Sequence, residues 1–152
     1  MKIISGGQTG ADIAGVDAAI QRQVAYGGWL PKGRKTEKKP VDGSYKDFLV
    51  MSQEGYPKRT EANVIDSDGT VIFTFGSLKG GSRLTKKFAK KYKKPCLHID
   101  FKKSNTPVRE LKDWLIDWDI EILNVAGSRA SESPEIYDHV KKIMITVLQQ
   151  TL

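Results

Sequence analysis

Three stretches of the chain share one layout, an apolar run followed by a glycine-bearing turn and the onset of a helical pattern: SGGQTGAD at residues 5–12, GSLKGGSRLT at 76–85 and AGSRASESP at 126–134. Amides in such turns, and at the helix starts behind them, are N–H donors without partners at the positive end of a helix dipole. The chemistry they offer is the binding of phosphate or a similar anion. One glycine turn is weak evidence, but three facing one edge would build a crevice from backbone donors.

The elements that position these turns are legible in the runs ahead of them. Lys2, Ile3 and Ile4, the stretch 71–75 (VIFTF) and the stretch 120–125 (IEILNV) read as buried strands. Strands of this kind lie in parallel sheets, and all three turns then emerge at the carboxyl edge, where α/β proteins bind ligands. The full reading is strand 2–5, helix 11–24, strand 26–30, a long polar loop to about residue 70, strand 71–75, helix 81–93, strand 96–99, helix 107–117, strand 120–125 and a closing helix from Pro134. Ile13, Val16, Ile20 and Val24 form the expected core side of the first helix. Ile136, Val140, Ile143 and Val147 form that of the last, with Ser133 as its N-cap. Alternating strands and helices predict a single domain over residues 1–152, a three-layer Rossmann-like α/β sandwich with a mostly parallel sheet of about five strands.

The loop at 31–70 is the exception to short connections, and a loop of that length in a compact domain is usually functional. A short helix is expected near 45–51. Arg59, Thr60, Glu61 and Asn63 follow one another too closely for one regular helix or strand face, so some of them must point into a site. An arginine fork matches phosphate, and a glutamate accepts from the amino and imino groups of a heterocycle. The competing reading pairs Arg59 with Glu61 structurally and uses Thr60 to cap a turn. Asp66, Ser67, Asp68 and Gly69 could suggest a metal loop, but Asp-Gly directly before an apolar run is ordinary turn chemistry. Asp68 then lies at the amino end of the strand, away from the crevice.

Composition limits the classes. The 152 residues carry a net charge of +7 and one cysteine, Cys96, which excludes an intrachain disulfide. Cys96 reads as a small core residue of a strand. No apolar segment approaches the roughly 18 residues that span a bilayer, and the N-terminus enters a strand at once, so a cytoplasmic protein without membrane contact is expected. Between Lys79 and Lys94 basic residues accumulate without an acid. Leu84, Phe88 and Tyr92 keep a four-residue spacing, however, which makes most of these lysines the solvated face of a helix. Aromatic residues do not interleave with them as stacking on nucleic acid requires, so no nucleic-acid partner is expected. His98 and His139 fall in a strand and a helix away from the glycine turns. No nucleophile with an adjacent base is evident, which favours binding over catalysis.

SGGQTGAD, GGWLPKGRK (27–35), YPKRTEANVIDSDGTVIF (56–73), KGGSRLT (79–85) and NVAGSRASESPEIY (124–137), taken in this order, resemble the molybdenum carrier protein family, a branch related to the molybdenum cofactor carrier proteins of algae and cyanobacteria. The resemblance covers most of the chain, while 100–119 carries nothing diagnostic. The family is similar in fold to the Rossmann-like group that includes the lysine-decarboxylase-like phosphoribohydrolases. The resemblance implies a homo-oligomer, a tetramer, that binds and protects molybdenum cofactor, a phosphorylated molybdopterin, for a recipient molybdoenzyme, with no metal ligated by the protein. The phosphate or the molybdate oxygens would meet the amides of Gly6, Gly7, Gln8, Thr9 and Gly10 or of Gly80, Gly81 and Ser82. Thr9, Ser82 and Thr85 would add hydroxyls, and Lys32, Arg34 and Arg59 counter-charge. Glu61 and Asn63 would meet the pterin edge beside Thr60, and Ser128 and Arg129 would close the third wall. Trp29, Trp114 and Trp118 are candidates for an interface or the core.

Two other functions stay open. A phosphoribohydrolase would release a base from a nucleoside monophosphate, with Arg59 and either Glu61 or Asp12 at the ribose. The full Pro-Gly-Gly-x-Gly-Thr-x-x-Glu loop of those enzymes is absent, and neither glycine turn is followed by its glutamate. A sensor domain binding a nucleotide-derived ligand is the third reading.

Overall fold

The computed structural model describes residues 1–53 and 55–151. The chain runs β1 (Lys2–Ile4), α1 (Ala11–Gln21), β2 (Ala25–Gly27), β3 (Trp29–Leu30), a 3₁₀ turn (Lys32–Arg34), β4 (Leu49–Val50), α2 (Tyr56–Asp66), β5 (Gly69–Thr74), α3 (Gly80–Lys91), β6 (Cys96–Asp100), α4 (Pro107–Asp117), β7 (Ile122–Gly127) and α5 (Ile136–Thr151). Five strands form one parallel sheet in the order β2–β1–β7–β5–β6, and β3 and β4 pair separately. α1, α4 and α5 pack together on one face of the sheet, and α2 packs with α3 on the other. This is the three-layer Rossmann-like sandwich that the alternation of elements predicts.

The strands follow from their sequences. β5 is GTVIFT and buried at every position, as a central strand covered on both faces must be. β7 lies between β1 and β5, with Asn124 level with Ile4 on one side and Thr70 on the other. The polar pair in this row satisfies itself, Asn124 Nδ2 donating to Thr70 Oγ1 at 3.2 Å. Asp68 closes the opposite, amino end of the sheet, where its carboxylate accepts from the amides of Glu121 at 3.0 Å and Ile122 at 2.8 Å. The turn reading of this aspartate holds. Burial pushes the Cys96 thiol up to about 11. Among the described residues, no helix is long and apolar enough to cross a membrane.

Several expectations are corrected. The stretch 31–70 is not all loop, because α2 lies inside it. Arg59, Thr60, Asn63 and Val64 are the buried residues of this helix, so the polar cluster does make one helix face, with Glu61 off it. No helix forms at 45–51, where the chain turns into β4. The predicted strand at 26–30 breaks at Gly28, whose φ of +114° turns the chain out of the main sheet. α1 buries Ala11, Ala14, Gly15, Val16, Ala18 and Ala19, leaving Ile20 44% exposed. Of the expected stripe, Val16 and Val24 are buried and Ile13 packs against the cluster of Val16 and Leu30, while the small side chains at the other buried positions let α1 sit close to the sheet and to α5. The α5 stripe is as expected and is extended by Met144 and Leu148, although the helix starts at Ile136, two residues late. In α3 the buried residues are Ser82, Thr85 and Ala89, while Leu84, Phe88 and Tyr92 are half-buried.

Gly127 ends β7 with φ +152°, and a Cβ there would stand 2.1 Å from the Phe73 carbonyl oxygen and 2.8 Å from the Ala11 Cβ. The nearer neighbour is backbone of the adjacent strand and cannot swing away. Gly127→Ala is expected to lower the unfolding free energy by about 3 kcal/mol or more. The reading is a lower urea midpoint at an unchanged slope, and a midpoint equal to the parent's would show that β7 and β5 separate here without cost.

Candidate functional site

Because the sheet is wholly parallel, the segments after β1, β5 and β7 meet at one edge and enclose a crevice of about 230 Å³. The first turn curls tightly. Gly10 precedes α1 with φ +83°, and the Ala11 amide donates to the Ser128 carbonyl at 3.1 Å, which joins the first turn to the third. Ser128 is also fixed from behind, its own amide donating to the Phe73 carbonyl. Ser5 Oγ accepts the Gly7 amide at 3.1 Å, and Gln8 Oε1 accepts the Thr9 amide at 3.0 Å. Asp12 reaches back from the first turn of α1 to the amides of Gln8, at 3.3 Å, and Gly6. In the first turn, the amides of Gly6, Gly7, Gln8 and Thr9, expected to hold a ligand's phosphate, are committed to the chain's own acceptors.

The charge at the base of the crevice is a buried pair. Arg59 Nη1 stands 3.7 Å from Asp12 Oδ2, with the two side chains 10% and 7% exposed. Nη1 also donates to Thr60 Oγ1 at 3.4 Å, the guanidinium lies 5.2 Å over the Tyr56 ring, and Nε is buried without a partner. Gly6 makes room for this arginine, since a Cβ there would fall 2.3 Å from Nη1. Burial pushes the Asp12 carboxyl up to about 6, against the opposing pull of Arg59 and the two amides. Burial likewise lowers the Arg59 value, with Asp12 and Tyr56 working the other way.

The second turn contributes a bare helix start. α3 has no side-chain cap, and a side chain at Gly80 or Gly81 would meet open space. Ser82 and Thr85 face inward from this helix, but the Thr85 hydroxyl donates to the Gly81 carbonyl at 2.9 Å. The third turn brings Arg129, whose Nε pairs with Glu132 Oε1 at 3.0 Å.

Of the sequence-predicted residues, Gly6, Gln8, Asp12, Arg59, Thr60, Asn63, Gly81, Ser82, Thr85 and Arg129 line the crevice. Gly7, Thr9, Gly10, Gly80 and Ser128 belong to its turns without lining it. Asn63 spends both ends of its amide on the Trp29 backbone, accepting from N–H at 2.7 Å and donating to C=O at 3.1 Å. Three expected residues lie elsewhere. Glu61 accepts from the Tyr92 hydroxyl at 2.6 Å and pairs with Lys91, at the C-terminal end of α3. Arg34 Nε donates to the Val41 carbonyl and Nη2 to those of Asp42 and Tyr45, which folds its own loop. Lys32 is exposed on the 3₁₀ turn. Tyr56, Lys79, Asn124 and Glu132 also line the crevice and escaped the sequence reading. Asn124 alone left a signal, a polar residue inside an apolar strand.

Among the described residues, no three His, Cys, Asp or Glu side chains converge as metal ligands. The arrangement combines a buried cation holding an unused donor with an uncapped helix start, and that is suited to an anionic group.

No curated protein matches the chain. Among solved structures, a Syntrophus aciditrophicus SB protein named "putative molybdenum carrier protein" superposes with a TM-score of 0.92 at 48% identity, over 97% of this chain and 93% of that one. Residues 3–148 match the circularly permutated YpsA SLOG family. With almost the whole length matched both ways, the chain belongs to the circularly permutated YpsA SLOG family and to the molybdenum carrier protein family that its five motifs resemble.

Proposed function

We propose that this protein binds molybdenum cofactor in the crevice and carries it, shielded from water, to a molybdoenzyme in the cytoplasm. The observation that carries this reading is Arg59, nine-tenths buried, with Nε unpartnered in a crevice walled by the uncapped start of α3. A buried arginine with an unmade hydrogen bond is costly unless a ligand completes it. The name of the 48% identical relative supplies the ligand class. The cofactor's phosphate or molybdate oxygens would bind between Arg59 and Gly81, with the pterin towards Tyr56 and Asn124. Oligomerisation as a tetramer belongs to the same proposal, and the exposed Ile116 and Trp118 at the C-terminal end of α4 are the apolar surface it would cover. A carrier breaks no bond; of the two acids that a hydrolase would use beside Arg59, Glu61 is engaged by Tyr92, while Asp12 does lie 3.7 Å from Arg59, and the AMP arm of the test below reads whether it acts.

The test is to load the purified protein with molybdenum cofactor, remove excess by gel filtration, and quantify retained molybdenum and pterin. AMP is incubated in parallel and assayed for adenine. Stoichiometric retention of metal and pterin without adenine is expected, whereas adenine release without retention makes the protein a nucleoside-monophosphate hydrolase. Gly81→Asp sharpens the location. The new carboxylate meets open space, so the fold stays intact, yet its charge opposes the ligand's and is expected to weaken retention on the order of tenfold. Equal retention by a folded Gly81→Asp protein removes α3 from the site.

A further inference from the structure

One carboxylate outside the crevice already behaves as a bound anion. Glu37, in the loop between β3 and β4, accepts from Thr9 Oγ1 at 2.5 Å, from the Ser131 amide at 3.1 Å and from the Ser131 hydroxyl, and its Oε2 lies 3.6 Å from Arg129 Nε. These donors come from the first and third glycine turns, and the Glu37 side chain is 12% exposed among them. Its backbone amide donates to Gln8 Oε1 at 2.9 Å. Burial works against the charge, but the hydrogen bonds from Ser131 and Thr9 and the nearby Arg129 outweigh it and hold the carboxyl below its ordinary value. Hydroxyl and amide donors converge on the two carboxylate oxygens, with the Arg129 charge beside them although its Nε–H is given to Glu132, and a phosphate, molybdate or sulfate oxygen pair would use the same set.

We propose that Thr9, Arg129 and Ser131 form an oxyanion subsite, that Glu37 fills it as a tethered stand-in, and that an incoming oxyanion displaces Glu37 and frees the segment 36–40. This rests on the reading that the crevice takes an anionic ligand, because Gln8 and Arg129 line both places. A tethered carboxylate competes at high effective concentration, so the subsite discriminates against weak or dilute anions. Opening is confined to a short stretch. Beyond it the loop is held by Arg34 at the carbonyls of Val41, Asp42 and Tyr45, by burial of Val41 and Phe48 against Val16 and Leu30, and by the Tyr45 hydroxyl on Asp17 at 2.6 Å. Inside it, Thr36 Oγ1 donates to the Lys39 carbonyl and accepts the Lys38 amide, bonds internal to the segment, so the further tie that must break with the Glu37 carboxylate is the one from its amide to Gln8 Oε1. Residues 36–40 can then leave with Glu37 while 41–48 stay.

The test measures molybdate affinity and amide exchange of the full chain in the parent, Glu37→Gln, Ser131→Ala and Gly81→Asp. Glu37→Gln is expected to bind molybdate on the order of tenfold more tightly, because the competitor loses its charge, and Ser131→Ala several-fold more weakly, because the subsite loses a donor. Both variants should exchange faster over 36–40 without molybdate, and saturating molybdate should produce that faster exchange in the parent. A structural strut gives a different pattern, with Glu37→Gln binding no better than the parent or molybdate slowing exchange over 36–40, and either result overturns the subsite. If Gly81→Asp weakens binding while Glu37→Gln and Ser131→Ala match the parent, the crevice stands and the subsite falls. If Glu37→Gln and Ser131→Ala shift in opposite directions while Gly81→Asp binds as the parent does, the subsite stands and the crevice assignment falls.

Discussion

Arg59→Ala is expected to lower the unfolding free energy by about 3–5 kcal/mol at pH 8, the cost of leaving a buried carboxylate without its counter-charge. The pair is well inside the protein, with Arg59 and Asp12 side chains 10% and 7% exposed, so solvent does little to screen the loss. The loss should shrink in acid. Asp12 titrates near 6 with Arg59 present, against 3.8 ordinarily, so between about pH 4 and 6 the folded chain binds more protons than the unfolded one and stability falls as pH rises. Removing Arg59 deletes the interaction that opposes this rise, so Asp12 stays protonated to higher pH and the variant suffers least below 6. Urea titrations at pH 5.5 and 8 check the sign. The double variant Asp12→Asn, Arg59→Met removes both charges and should recover much of the stability, since a neutral pair of similar shape costs little to bury. It should nonetheless retain no cofactor. A single variant as stable as the parent at pH 8 would show that the pair is not coupled in the folded state.

That pair also marks the limit of what the sequence discloses. The sheet was readable because each central strand is a short apolar run ending at a glycine, and β5 is buried at every one of its positions. The α5 stripe was readable because Ile136, Val140, Ile143 and Val147 recur at helical spacing on a buried face. α2 was not, because its buried residues are Arg59, Thr60 and Asn63 beside Val64, and a polar stripe gives no hydrophobic period. Its polarity is a consequence of facing a site. Of the ten predicted residues that line the crevice, seven came from recognising glycine turns, a local signal, and Arg59, Thr60 and Asn63 from the dense polar run at 59–63. Their bonding did not follow, because the anion that the first turn's amides hold is Asp12, four residues beyond Gln8. Glu37 had no signal at all, since its donors lie 28 and 94 residues away in the chain.

The same linkage makes anion binding pH-dependent. An anion set against Arg59 lies close to the Asp12 carboxyl, repels its charged form and is accepted more readily when that carboxyl is neutral. Binding therefore takes up a proton in the range around 6, and affinity must rise as pH falls. Sulfate is the suitable probe, because it keeps its charge throughout. Its affinity is expected to increase on the order of tenfold between pH 7.5 and 5, with a slope no steeper than one decade per pH unit for a single group. Glu37 does not share in this, because its carboxyl is held below its ordinary value and stays charged through the window. Asp12→Asn fixes the neutral state, so that variant should bind sulfate at pH 7.5 as tightly as the parent does in acid, with a flat profile. A parent whose affinity does not change from pH 7.5 to 5, or an Asp12→Asn variant that keeps the slope, would separate Asp12 from the bound anion. The expected result would mean that a carrier of this design holds its cargo hardest in acid and loosens as Asp12 ionises, with the proton leaving as the ligand does.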